Sequence, residues 1–165
     1  MIVRSNLFDY NYYGIICLME KSVNFDGKTI LITGAAGFIG WYLAKRVCEE
    51  NPKAKVIGFD SVNDYYDVRL KEYRLKDLDQ YPNFTFVVGN LADKDKVDAL
   101  FNKYHFDIVV NLAAQAGVRY SIEHPDAYIE SNIIGFYNIH PFQFIAIRIP
   151  IYYPLHIIIQ HTIII

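Results

Sequence analysis

The sequence predicts an α/β fold on a parallel sheet, and three observations carry that expectation. From Lys28 to about Ile139, short β-branched runs alternate with segments of helical period. Three glycines, spaced three apart, stand where the first run gives way to the first helix, and an aspartate closes the second run. Together these describe a Rossmann-type doubly wound parallel sheet, truncated after its fourth strand–helix unit. Right-handed crossovers predict the spatial strand order 3-2-1-4, with the glycine turn at the carboxyl edge.

The predicted strands are Thr29–Thr33, Val56–Phe59, Phe84–Val88 and Ile108–Leu112. Each is almost wholly apolar, as strands buried on both faces require. Helical stripes follow three of them: Ile39, Leu43 and Val47 at i, i+4, i+8; Val97, Leu100, Phe101 and Tyr104 at i, i+3, i+4, i+7; Ile129, Ile133 and Phe136 at i, i+4, i+7. All three stripes are expected to face the core. The charged segment Val68–Leu78 reads as a surface helix between the second and third strands.

Composition narrows the function classes. With 165 residues, 53% of them hydrophobic, the chain holds one domain with ample core. Sixteen basic against eighteen acidic residues, with no basic run, argue against nucleic acid or a polybasic membrane surface. Cys17 and Cys48 lack metal or disulfide spacing, which points to a reducing, cytoplasmic setting. Residues 1–26 read as an N-terminal extension and residues 27–139 as the dinucleotide domain. Residues 140–165 read as an atypical apolar tail, with one charge (Arg148), three prolines and ten isoleucines. The tail is too interrupted for a membrane span. A frame change near His140 would explain its composition.

The chemistry concentrates at the strand ends. In Gly34-Ala35-Ala36-Gly37-Phe38-Ile39-Gly40, one glycine permits a tight turn, a second lets backbone N–H groups approach a pyrophosphate at the helix N-terminus, and the third lets helix and strand pack closely. Asp60, twenty residues beyond Gly40, can accept both hydroxyls of an adenosine ribose and repel a 2′-phosphate, which favours NAD over NADP. Without the glycines, an acidic residue at a strand end is a solvated loop residue about a third of the time. Asn90 and Leu91 close the third strand, where a side-chain oxygen can meet an adenine amino group. Leu112, Ala113, Ala114 and Gln115 close the fourth, leaving room for the rest of the dinucleotide.

The motif GAAGFIG, the segment Asn63–Lys71 (NDYYDVRLK), the run Asn111–Ser121 (NLAAQAGVRYS) and Ser131-Asn132 with Gly135 and Asn138 resemble the extended short-chain dehydrogenase/reductase superfamily. Among its NAD-dependent epimerases and dehydratases, the likeness is greatest to the UDP-glucuronate 4-epimerases. The resemblance covers about residues 27–139. It implies that Phe38 and Ile39 cover the pyrophosphate, Asp60 and Asn63 hold the adenosine ribose, Asn90 and Leu91 flank adenine, and Ala113, Ala114 and Gln115 line the dinucleotide. Ser131 would lie near the cofactor. Asn90 stands where the family usually has aspartate. Arg119 would sit beside the sugar of a UDP-sugar substrate, where its fork suits a carboxylate or phosphate, or it is a surface arginine. Family members are often homodimers.

The reaction implied by this resemblance moves a hydride from sugar C4 to NAD+ and returns it to the opposite face, with the tyrosine of a Tyr-x-x-x-Lys pair as the base. None of the fourteen tyrosines here has lysine four residues on. Two readings follow. In one, the chain is the NAD-binding part of an epimerase, cut short and without a complete catalytic site. In the other, it is a non-enzymatic dinucleotide-binding protein. A UDP-glucose 4-epimerase or sugar-nucleotide dehydratase fragment differs from the first only in substrate.

Overall fold

The computed structural model describes residues 25–65 and 67–146, with side chains through Pro141. The extension up to residue 24 and the tail beyond Ala146, with Tyr152 and Tyr153, lie outside the described residues. Strands β1 (Thr29–Thr33), β2 (Lys55–Asp60), β3 (Phe84–Val88) and β4 (Ile108–Asn111) pair in parallel in the order β3-β2-β1-β4. This is the predicted order. Helices α1 (Phe38–Glu50), α2 (Val68–Leu78) and α3 (Lys94–Lys103) occupy the crossovers. After β4 come two short helices, α4 (Val118–Glu123) and α5 (Pro125–Tyr128), a π-helical stretch Ile129–Ile134, and α6 (Gly135–Ala146), which carries Pro141 inside it.

The period-2 alternation of β1 and β2 sorts their side chains onto two cores. Leu31, Ile57 and Phe59 meet Val97, Leu100 and Tyr104 of α3 and Ile139 of α6 on one face. Ile30, Ile32 and Val56 meet Ala44, Val47 and Cys48 of α1 and Leu78 of α2 on the other. Burial there pushes the Cys48 thiol up to about 11, so it remains protonated. The edge strands depart from the expectation of burial on both faces. Val88 of β3 is 62% exposed, because among the described residues no further strand or helix covers that edge.

Two of the predicted helical stripes are corrected. In α1 the buried face is Gly40, Ala44, Val47 and Cys48, whereas Ile39 is 62% exposed: close approach at Gly40 rotates the helix off the isoleucine. After β4, Ile129 and Ile133 are exposed, and Gly135, Asn138 and Ile139 turn inward. The i→i+5 winding of the π stretch shifts the phase of every later residue relative to a 3.6-residue repeat. The α3 stripe lies against the core as predicted, with Phe101 packed beside it.

Thr33, fully buried, joins the carboxyl ends of the two central strands. Its hydroxyl donates to Asn111 Oδ1 at 2.5 Å and accepts the N–H groups of Leu112 at 3.0 Å and Ala113 at 3.1 Å. One oxygen therefore satisfies the backbone where β4 turns away from the ladder. At the opposite edge, Asp107 accepts the Thr29 N–H at 2.9 Å and the Lys28 ammonium at 3.2 Å, and these bonds hold its carboxyl below the usual range.

Replacing Thr33 with Val keeps the shape and deletes the hydroxyl, leaving two N–H donors and an amide oxygen unpaired. Urea unfolding is expected to show a loss of about 2–3 kcal/mol, with faster hydrogen exchange at the Leu112 and Ala113 amides.

Candidate functional site

The glycine turn is built from backbone contacts that side chains would block. Gly34 has φ +69°, and a Cβ there would lie 2.9 Å from Ala113 N. Its own N–H donates to Phe59 O at 2.8 Å, tying the turn to β2. A Cβ on Gly40 would fall 2.1 Å from Gly34 O, so only glycine lets α1 begin this close to β1. Gly37 is the N-cap residue of α1, and no side chain caps the helix. The first-turn N–H groups thus form a backbone cradle suited to an anion.

Asp60, at the end of β2, accepts the Ala36 N–H at 3.1 Å on Oδ2 and the Val62 N–H at 2.8 Å on Oδ1. Val62 takes φ +50°, an unusual conformation for a β-branched residue, held where the chain bends out of β2. One turn of α2 then reaches back to the mouth of the site. The Lys71 ammonium donates to Asn63 O and Asn63 Oδ1, both at 2.7 Å, and Arg74 donates to Ala36 O at 3.1 Å. Lys71 is only 7% exposed. Burial lowers its pKa, against the opposing pull of Asp60 and Asp64. Helix α2 is held in place by Asp77, which accepts from Trp41 Nε1 at 2.9 Å and from Lys45 Nζ at 3.1 Å.

Across the switch point, Asn90 Oδ1 accepts the Ala92 N–H at 3.0 Å and Asn90 Nδ2 donates to Glu130 at 2.9 Å. Both ends of that amide are therefore engaged within the protein, leaving one oxygen lone pair and one N–H beyond these two bonds. Asn132, in the π stretch, clamps the end of β4: Gln115 N donates to its Oδ1 at 2.7 Å, and its Nδ2 donates to Gln115 O at 3.0 Å. The Gln115 side chain, 6% exposed, keeps Nε2 without a hydrogen-bond partner among the described residues.

These strand ends surround one cavity, open to solvent at its mouth. Gly34, Gly37, Asp60, Asn63, Asn90 and Leu91 line one part of it, and Leu112, Ala113, Ala114, Gln115 and Ser131 the other. Gly40 lies beneath the turn as a packing residue. Phe38 and Ile39, 68% and 62% exposed, stand at the start of α1 outside the lining. Arg119, exposed on α4, is also outside it. Sequence reasoning missed Tyr65 and Lys71, which both line the cavity. Lys71 sits in a helix whose charge pattern reads as a solvated face. The usable signal was its spacing: Lys71 and Leu78, at i and i+7, are the buried residues of α2.

The sequence pattern of the GDP-mannose 4,6 dehydratase family matches residues 31–147. The chain belongs to this family. It is thereby a member of the NAD-dependent epimerase/dehydratase family within the extended short-chain dehydrogenase/reductase superfamily. It is 56% identical to Protein CapI of Staphylococcus aureus over 110 residues, 67% of this chain and 32% of that protein. It is 43% identical to UDP-glucuronate 4-epimerase of Thermodesulfobacterium geofontis over 109 residues, 66% of this chain and 33% of that one. Among solved structures, UDP-glucuronic acid 4-epimerase from Bacillus cereus, in complex with UDP-glucuronic acid and NAD, superposes with a TM-score of 0.61 at 30% identity. That match covers 67% of this chain and 34% of the other. The chain thus spans about a third of the length of the curated relatives it matches. No helix among the described residues is long and apolar enough to cross a membrane.

Substituting Gly40 with Ala places a methyl group into the Gly34 carbonyl, backbone against backbone. The expected cost is about 3 kcal/mol or more in urea unfolding, above that of Gly27→Ala, where a Cβ meets nothing within 4 Å and only the φ of +72° opposes the substitution, at about 1–2 kcal/mol.

Proposed function

We propose that this chain forms the NAD-binding part of a nucleotide-sugar epimerase acting on UDP-glucuronate. The observation that carries the proposal is the convergence on one cavity of a side-chain-free turn, the Asp60 carboxylate and the buried, unpartnered Gln115 Nε2. An orphaned amide donor and a helix N-terminus that no side chain caps fit an elongated, oxygen-rich dinucleotide. The relatives named UDP-glucuronate 4-epimerase and the NAD in the Bacillus cereus structure support the choice of substrate and cofactor.

In this reading Gly34 and Gly37 open the backbone to the pyrophosphate, with Phe38 and Ile39 at its rim. Asp60 and Asn63 hold the adenosine ribose, and Asn90 and Leu91 border adenine. Leu112, Ala113 and Ala114 line the remainder, with Gln115 donating from Nε2 and Ser131 beside it. Bound NAD would supply a hydride acceptor and donor for sugar C4. The Ala36 and Val62 N–H groups already hold the Asp60 carboxylate, so its position at the cavity is set before a ligand enters. Arg119 is the proposed contact for the sugar carboxylate.

Isothermal calorimetry on the chain is expected to give tighter binding of NAD than of NADP, because Asp60 offers acceptors to ribose hydroxyls and repulsion to a phosphate. Asp60→Ala narrows that preference. Equal affinity for the two cofactors in the unmutated chain would refute the assignment of Asp60.

A polypeptide of these 165 residues, incubated with NAD+ and UDP-glucuronate, is expected to form no UDP-galacturonate by chromatography. No tyrosine in it is followed four residues on by lysine, and a hydride step without its hydroxyl base forfeits about 10²–10⁴-fold in rate. Turnover abolished by Tyr152→Phe or Tyr153→Phe would reveal a base in the tail.

A further inference from the structure

Tyr65 joins two parts of the chain that the sheet keeps apart. It leaves the β2 side, five residues beyond Asp60, and lines the cavity. Its ring packs on Tyr120 of α4, with 4.7 Å between the centroids. Its hydroxyl lies where a Cβ on Gly117 would stand, two residues beyond Gln115. Because β1 lies between β2 and β4, the contact passes in front of the carboxyl end of β1, where Gly34 and Gly37 line the cavity.

The far side of this contact is braced. Gly117, at φ +106°, adopts a backbone conformation that suits glycine, which leaves the seat for the Tyr65 hydroxyl open, and the Tyr128 hydroxyl donates to its carbonyl. The His124 ring lies 4.4 Å from that of Tyr120. Tyr120 itself is outside the cavity lining. Tyr65 and Tyr120 are each half-buried. A ring pair of this kind shifts an equilibrium about three- to tenfold beyond the area it buries, enough to keep the two sides joined and little enough to let them part.

We infer that Tyr65 and Tyr120 form an aromatic bar across the cavity, which retains a dinucleotide by slowing its entry and its exit alike. This rests on the dinucleotide reading above. A ligand reaching from Asp60 to Gln115 lies beneath the bar, since those residues stand on either side of β1 and Tyr65 spans the same interval. The proposed reaction takes a hydride from the sugar and returns it, so the dinucleotide has to remain in place between the two transfers. Tyr65 differs here from an ordinary wall of the cavity: a wall contact holds the bound ligand and affects exit alone, whereas a bar obstructs both directions.

The test is stopped-flow NADH fluorescence on the full chain, with association followed on mixing and dissociation on displacement by excess NAD+, each variant first checked by thermal melting. Tyr65→Leu removes the ring contact and is expected to raise both rate constants about three- to tenfold, with Kd changed less than about twofold. Tyr65→Phe keeps a ring on Tyr120 and stays within about twofold of the unmutated rates. Tyr120→Leu gives the same double rise from outside the cavity lining, and the double leucine variant exchanges no faster than either single one. Whichever of the two leucine variants folds carries the test. A rise in dissociation alone, with Kd weakened in proportion, makes Tyr65 a wall and overturns the inference, as do unchanged rates in Tyr65→Leu; both results leave the dinucleotide reading standing. Binding of no NADH by the unmutated chain overturns both.

Discussion

Helix α1 starts against the end of β1 because side chains are missing there. With a Cβ at position 40 only 2.1 Å from the Gly34 carbonyl, any other residue would push the helix outward. Its first-turn N–H groups would move with it. The Gly34 N–H is fixed on Phe59 O, and the Ala36 N–H on Asp60, so the turn, β1 and β2 form one backbone unit. Thr33 adds β4 to that unit through Leu112 and Ala113. Leaving those buried groups unpaired would cost about 1–3 kcal/mol each, which makes the carboxyl edge the most constrained part of the sheet and a rigid rim for the cavity.

Charge is arranged on this rim rather than spread over the surface. Asp60 is oriented by two backbone donors before any ligand arrives, and Lys71 is oriented by two Asn63 oxygens. Lys71 depends on α2 keeping its place. That helix is anchored at its far end by Asp77, where burial raises the carboxyl pKa but the Lys45, Trp41 and Gln80 bonds outweigh it and hold the carboxyl below its usual value. Arg74 closes the near end on Ala36 O and lies 5.9 Å from the Phe38 ring. The crossover helix thus both covers the sheet and sets the electrostatics of the cavity.

Beyond β4 the backbone solves a different problem. Gly117 takes φ +106°, where a Cβ would strike the Tyr65 hydroxyl, and Tyr128 donates to its carbonyl. Tyr65 and Tyr120 lie 4.7 Å apart, ring to ring, so the loop after β2 and helix α4 share one aromatic contact. The π stretch then presents Asn132 to the β4 end, and α6 presents Asn138, whose amide donates to Leu91 O at 2.9 Å and Ala92 O at 3.2 Å. Polar residues are turned inward to satisfy backbone carbonyls, and isoleucines are turned out.

The sheet, its strand order and the surface helix Val68–Leu78 were legible in the sequence. Apolar runs, alternation and glycine spacing act locally, and handedness leaves one topology. The strand-end part of the cavity lining was legible for the same reason: parallel strands deliver all their ends to one edge, so Asp60, Asn90 and Gln115 converge by construction. Which face of α1 is buried was not legible, because a glycine contact outweighs an apolar period in setting helix rotation. Nor was the inward face after β4, because a π stretch changes the period itself. Lys71 was hidden among charged neighbours, and only the packing of α2 against the β2 loop decides that this one lysine, and not Lys76, turns into the cavity. Local chemistry determines what each segment becomes; the rotation of each helix about its axis is a compromise among distant contacts, and it exists only in the folded chain.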